Sequence, residues 1–157
     1  GSIVKRLGLK EGEVFKNPLI EYYLKRDDLG DPFINEDHII NFKWGTREEL
    51  EEMQEYGLRI NDFLRGLFLG IDLKLVDFKI EFGRYFSDDD DGVILLADEI
   101  SPDNCRLWDI NTNNKYDKDL FRQEIGGLKE AYQEVAERLK ILPEKKKYSS
   151  SKTEIVK

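Results

Sequence analysis

Residues 72–86 read DLKLVDFKIEFGRYF, and their side chains alternate: Val76, Phe78, Ile80 and Phe82 fall on one face, Asp77, Lys79 and Glu81 on the other. A period of two marks a strand with one side toward a core and the other toward water, so the expectation is one long strand. After SDDDDG the chain resumes as VILLADEI, residues 93–100, a second strand that folds back on the first as a hairpin with an acidic, Gly-ended loop. The four aspartates at 88–91 read as a solvated charge run rather than a metal site.

Upstream of this hairpin, Thr46 stands three residues before Glu49, the spacing of a reciprocal N-terminal cap. From there Leu50, Met53, Gly57, Ile60, Leu64, Leu67 and Phe68 recur at steps of three and four, which predicts an amphipathic helix from about 46 to 69 with Gly70 as its stop. PLIEYYLK, residues 18–25, suits a strand. RDDLGDPFINEDH is turn-rich, punctuated by Gly30 and Pro32, and residues 3–17 read as a short element and a connection. Downstream, SPDNCRLWD and NTNNKYD carry turn chemistry. Asp117 can cap a helix running through Leu120, Phe121 and Ile125, interrupted at Gly126-Gly127 and resuming as LKEAYQEVAERLKIL. The polar stretch from Pro143 to Lys157 reads as a mobile tail. The pattern is that of the α+β class: an antiparallel sheet with flanking helices.

A chain of 157 residues allows one domain. Lys and Arg number 25 against 33 Asp and Glu, a net charge of −8, which argues against a duplex-binding protein because affinity for phosphate backbones rests on clustered cations. No run approaches the roughly 20 apolar residues of a membrane span, and GSIVKRLGLKEGE has no apolar leader core. The single cysteine, Cys105, excludes an intramolecular disulfide. These features lead us to expect a cytoplasmic protein that engages neither nucleic acid nor membrane.

Two constellations carry possible chemistry. If the hairpin sets Glu81 across from Asp98, two carboxylates share a face with Cβ atoms about 5 Å apart, and they repel unless a cation lies between them. Mg²⁺ takes one or two protein carboxylates and fills its shell with water and nucleotide phosphates; Lys79 would offset the acids or meet a phosphate. A strand face turned to solvent would show the same mixture of charges. The second constellation is Arg106 with Lys118 and Arg122, the latter two one helical turn apart, as a clamp for phosphate or carboxylate; an ordinary helix surface would also look like this. His38, the only histidine, suits a capping or loop hydrogen-bonding role. Cys105 lacks an adjacent base, and Trp44 and Trp108 read as packing residues. No complete P-loop, dinucleotide fingerprint, HExxH or nucleophile elbow is present.

LVDFKIEFG (75–83), GSIVKRLG (1–8), PLIEYYLKRDDLGDPFINEDH (18–38), LADEISPDNCRLWD (96–109) and DKDLFRQEIGGLKEAYQEV (117–135) resemble, in order, the blocks of the SAICAR synthetase family of purine biosynthesis. The resemblance implies an ATP-dependent ligase in which the carboxylate of carboxyaminoimidazole ribonucleotide is phosphorylated, the amine of L-aspartate attacks the acyl phosphate, and SAICAR, ADP and phosphate result. It implies ATP and Mg²⁺ as cofactors, and a homo-oligomer. Carried over by motif, Glu81 and Asp98 would be the nucleotide–Mg²⁺ carboxylates, Lys25 would lie on the ATP side, and Lys79, Asp77 and Asp31 would be catalytic. Ser2 and Arg106 would hold the ribonucleotide phosphate, with Asp103, Lys118 and Arg122 completing the substrate pocket.

The family's N-terminal β-rich segment, with its Gly-rich loop over the ATP phosphates, has no counterpart in this sequence. The resemblance thus implies a C-terminal part, similar to an ATP-grasp-like fold, with residues 1–142 as the substrate- and metal-binding domain and 143–157 as a tail. Gly1-Ser2 then belongs to the family block rather than to a cloning scar. A non-catalytic metal- and phosphate-binding module, or an inactive piece of the enzyme, is the alternative.

Overall fold

The computed structural model describes residues 3–87, 90–116 and 128–141. Helix α1 (Ile3–Leu7) precedes β1 (Tyr22–Tyr23), a 3₁₀ turn at Asp27–Leu29, β2 (Phe33–Ile34), α2 (Glu36–Asn41) and α3 (Arg47–Leu69). β3 (Leu73–Phe78), β4 (Glu81–Ser87), β5 (Asp90–Ala97), β6 (Cys105–Asp109) and α4 (Leu128–Arg138) follow. The mixture is α+β and every described pairing is antiparallel, but among the described residues the strands form three separate two-stranded ribbons: β1–β2, β3–β6 and β4–β5.

The decisive stretch is therefore two strands. β3 runs against β6 until Phe78, and the Lys79 N–H donates to the Asn104 carbonyl at 2.8 Å. From Glu81 the chain pairs with β5 instead. The expected apolar face is also broken, because a bulge between Leu75 and Asp77 puts one extra residue in β3 and moves the alternation by one position. Leu73 is fully buried and Leu75 and Phe78 partly so, whereas Val76 is 40% exposed. The four-residue acidic tip is shorter than expected: the ladder continues to Ser87 paired with Asp90, and Asp88 and Asp89 lie outside the described residues.

Helix α3 forms as its sequence specifies. The Thr46 side chain accepts from the Glu49 N–H at 3.2 Å, and Glu49 Oε2 accepts from the Thr46 N–H at 2.8 Å, so two of the helix's orphan donors are satisfied. Leu50, Leu64 and Phe68 are its buried residues. Within RDDLGDPFINEDH, expected to be only turns, α2 begins with a second such cap: Asn35 Oδ1 accepts from the His38 N–H at 2.9 Å, and the Asn35 N–H donates to His38 Nδ1 at 3.3 Å. That is the capping role expected of His38. The strand expected at 18–25 contracts to Tyr22 and Tyr23, paired with Ile34 and Phe33.

CRLWD, expected to be a turn, is β6. Cys105, Leu107 and Asp109 point inward and alternate with Arg106 and Trp108. Leu64 and Phe68 of α3, Leu73 of β3, Cys105 and Leu107 of β6 and Val135 of α4 form the larger core; Ile34, Ile39 and Leu50 form a smaller one beneath α2. The helix proposed from Asp117 to Ile125, and the tail beyond residue 142, lie outside the described residues.

Candidate functional site

The site grows from two internal segments, residues 25–31 and 79–81. Lys25 follows β1, Asp27 opens the 3₁₀ turn that leads toward β2 and Asp31 follows it, and Lys79 and Glu81 lie at the passage from β3 to β4. The turn closes because Gly30 takes a left-handed conformation (φ 70°) and its N–H donates to the Asp27 carbonyl. Asp31, also left-handed at φ 48°, accepts from the Arg26 N–H through Oδ1 at 2.8 Å. With that oxygen fixed, Asp31 Oδ2 lies 3.9 Å from Lys25 Nζ and 4.0 Å from Lys79 Nζ. Lys79 reaches Glu81 at 2.7 Å, and Lys25 reaches Asp27 at 2.5 Å.

Two ammonium groups and three carboxylates are thereby interleaved on a partly open surface: Lys79 is half exposed while Glu81 retains about a fifth of its exposure. The Asp27 carboxylate beside it raises the Lys25 ammonium above its ordinary value, and the same contact lowers Asp27. Both groups are held charged, the form in which they meet a phosphate or a cation. Spacing had not singled out Asp27; its only signal is its place two residues after Lys25 in a turn sequence.

The expected pairing of Glu81 with Asp98 is not found. Glu81 pairs with Ala97, and Asp98 is the next residue, at φ 67°, where the ladder ends. Both carboxylates stand at the open end of the β4–β5 ribbon. Among the described residues no group of three or more His, Cys, Asp or Glu side chains is assembled for a metal, so an ion here would depend on one or two carboxylates and on non-protein oxygens.

Asp77 and Arg106, opposite each other in β3 and β6, form an ion pair at 2.5 Å. Asp103 sits in the Ser101–Asn104 turn, where its N–H donates to Ser101 Oγ at 3.2 Å. The turn abuts α4: burial raises the Tyr132 phenol, and the Asp103 carboxylate adds to the effect. Ser2, Lys118 and Arg122 lie outside the described residues, so the expected convergence of Arg106 with Lys118 and Arg122 is not described.

Below the turn, Asp109 is 4% exposed and accepts from the Asn111 and Thr112 N–H groups at 2.9 and 2.8 Å, with Arg138 at 2.7 Å. The Thr112 N–H, then Arg138, hold its carboxyl down at about 2. An open apolar groove of about 470 Å³ between α3 and β5, lined by Ile60, Phe63, Ile94 and Leu96 among others, lies apart from these groups. No helix among the described residues is long and apolar enough to cross a membrane.

Comparison with known proteins gives a consistent result. A family described as SAICAR synthetase matches residues 1–139. The phosphoribosylaminoimidazole-succinocarboxamide synthase of Rhodospirillum centenum is 56% identical over 144 residues, 92% of this chain and 56% of that protein. The corresponding enzyme of Acidiphilium cryptum is 57% identical over the same shares. The crystal structure of the synthase from Ehrlichia chaffeensis superposes with a TM-score of 0.85 at 48% identity, covering 91% of this chain and 60% of that one. A SAICAR synthetase solved in complex with ADP superposes with a TM-score of 0.82 at 43% identity, covering 92% and 60%. The chain thus spans little more than half the length of the curated relatives it matches.

Proposed function

The chain belongs to the SAICAR synthetase family, and from that premise we propose that it forms the substrate- and metal-binding part of the ATP-dependent ligase that joins L-aspartate to carboxyaminoimidazole ribonucleotide. The observation that carries the reading is the meeting of Lys25, Asp31, Lys79 and Glu81, in which the Lys79–Asp31 contact joins residues 48 apart in sequence. The net attraction in such a half-exposed web is small. Its value lies in charged groups held in place before a ligand arrives.

In this reading the two lysines face phosphoryl oxygens, Lys25 on the ATP side and Lys79 at the group in transfer. The ribonucleotide carboxylate takes the γ-phosphoryl group from ATP, ADP leaves, and the aspartate amine attacks the acyl carbon to expel phosphate. Asp31 keeps the two ammonium groups apart and oriented, and Asp77 steadies Arg106 toward the 5′-phosphate of the ribonucleotide. Ser2 adds a hydroxyl to that phosphate, while Asp103, Lys118 and Arg122 border the substrate. Glu81 and Asp98 would hold Mg²⁺; both offer hard oxygen donors, and their number suits an ion that completes its shell from nucleotide and water. When bound, the ion neutralises phosphate charge that the lysines alone leave uncompensated. Residues 1–142 would act as one unit within a cytoplasmic homo-oligomer that takes small molecules rather than nucleic acid.

Calorimetry of the chain with ADP and Mg²⁺ tests the reading. Binding that requires Mg²⁺ and is weakened at least about tenfold by Glu81→Gln is expected, since a coordinating carboxylate is lost. Release of ADP from ATP only when ribonucleotide and aspartate are both present would complete it. Binding without such release would favour the non-catalytic module, and equal binding by Glu81→Gln would remove Glu81 from the site.

A further inference from the structure

The β4–β5 ribbon bears both carboxylates at its open end, yet shares no ladder with β3–β6. Its attachment to α3 is sparse. Ile94 is its buried hydrophobic residue, Phe82 stacks on Tyr56 at 6.4 Å between centroids, and the apolar groove leaves the rest of that junction open. Such apolar contacts constrain the ribbon's rotation less than a hydrogen-bonded ion pair does, because hydrophobic burial is non-directional. Such a pair is present: Arg84 donates from Nε at 2.9 Å and from Nη2 at 2.6 Å to Glu49 Oε1. The other oxygen of Glu49 is tied to the Thr46 N–H in the cap of α3. The guanidinium is therefore joined to the capped first turn of the helix.

The route of the Arg84 side chain is also provided for. A Cβ at position 92 would lie 2.7 Å from both Cγ and Cδ of Arg84, and Gly92 has φ 106°. The glycine opens the space through which the side chain crosses its partner strand. Phe82 and Arg84 alternate with Glu81 along β4, so Arg84 faces α3 while Glu81 faces the lysine web.

We infer that Arg84 is a positioning residue: through Glu49 it fixes the rotation of the β4–β5 ribbon on α3 and thereby the placement of Glu81 and Asp98. The link from this placement to nucleotide binding rests on the function proposed above.

The test uses the full chain and two variants. Arg84→Met keeps the aliphatic stem and removes the fork. Glu49→Gln keeps an acceptor for the Thr46 N–H, as glutamine does in such caps, and removes the charge that orients Arg84. In both, amide exchange in the ribbon should accelerate by roughly threefold to tenfold while β3–β6 is unchanged, as expected for a partly exposed charged clamp. The side-chain carboxyl ¹³C resonances of Glu81 and Asp98 should move, MgADP affinity should fall by a similar factor, and Arg84→Lys should recover part of each. Unchanged ribbon exchange and unmoved carboxyl resonances in both variants would overturn the inference, as would moved resonances with MgADP bound as tightly as before. If the unaltered chain takes no MgADP but the resonances move, the positioning role stands and the nucleotide reading fails.

Discussion

The two ribbons built from residues 72–86 share one sequence pattern and do opposite work. In β3–β6, Leu73 and Leu107 have no exposure and pack with Phe68 and Val135; in β4–β5, which has the longer strands, Ile94 is buried but belongs to neither core, while Tyr85 and Phe86 are 60% and 65% exposed. By buried area rather than ladder length, β3–β6 should be the ribbon that contributes more to stability. One ribbon closes the core, and the other carries acidic groups out from it. The sharpest way to break this contrast is truncation. Leu107→Ala should cost about 3–5 kcal/mol, and Ile94→Ala, beside an open groove, nearer 2 kcal/mol; urea unfolding of the two variants reads the difference, and equal losses would mean that both ribbons hold the core.

A smaller effect, read by pH, concerns what ties β6 to α4. Asp109 has its carboxyl held at about 2 against an ordinary 3.8, by the Thr112 N–H first and by Arg138 next. A carboxyl lowered in the folded state contributes stability that is present in full above its unfolded value and is lost as pH falls through the folded one. Melting temperature should therefore decline between about pH 4 and pH 2 in a way that Asp109→Asn abolishes. The clamp of Arg84 on Glu49 predicts no comparable step in β6. At the start of α3, Thr46→Ala should cost about 1 kcal/mol by removing the cap, measured by thermal unfolding.

The helix α3 was legible because its signal is local: a cap, a period of three and four, and a glycine beyond the end. The break at Lys79–Ile80 was not, since alternation continues through it and periodicity carries no information about which partner lies alongside. The bulge at Val76 escaped for the same reason. β6 was hidden in five residues between turn formers, although Cys105, Leu107 and Asp109 alternate inward once a partner is known. The meeting of Lys25 with Lys79 joins residues 54 apart through Asp31, a separation no spacing rule spans, and it was anticipated only through family resemblance. The offset of Asp98 from Glu81 by one residue depends on the ladder register, which hydrophobic pattern fixes to a face and not to a partner.

The smallest expected effect on stability is also the most informative about the outer ribbon. Lys79 contacts Glu81 at 2.7 Å and Asp31 at 4.0 Å, but is half exposed, so its ion pairs are screened and cost side-chain entropy to maintain. Lys79→Met should shift unfolding by no more than about 0.5 kcal/mol. Yet it removes the cation that separates two carboxylates, leaving them nearer to mutual repulsion. If the web exists for a ligand, MgADP affinity should fall at least about tenfold while the melting curve hardly moves. A large loss of stability with binding intact would make the web a structural clasp, and the division between a ribbon that holds the fold and a ribbon that presents charge would no longer stand.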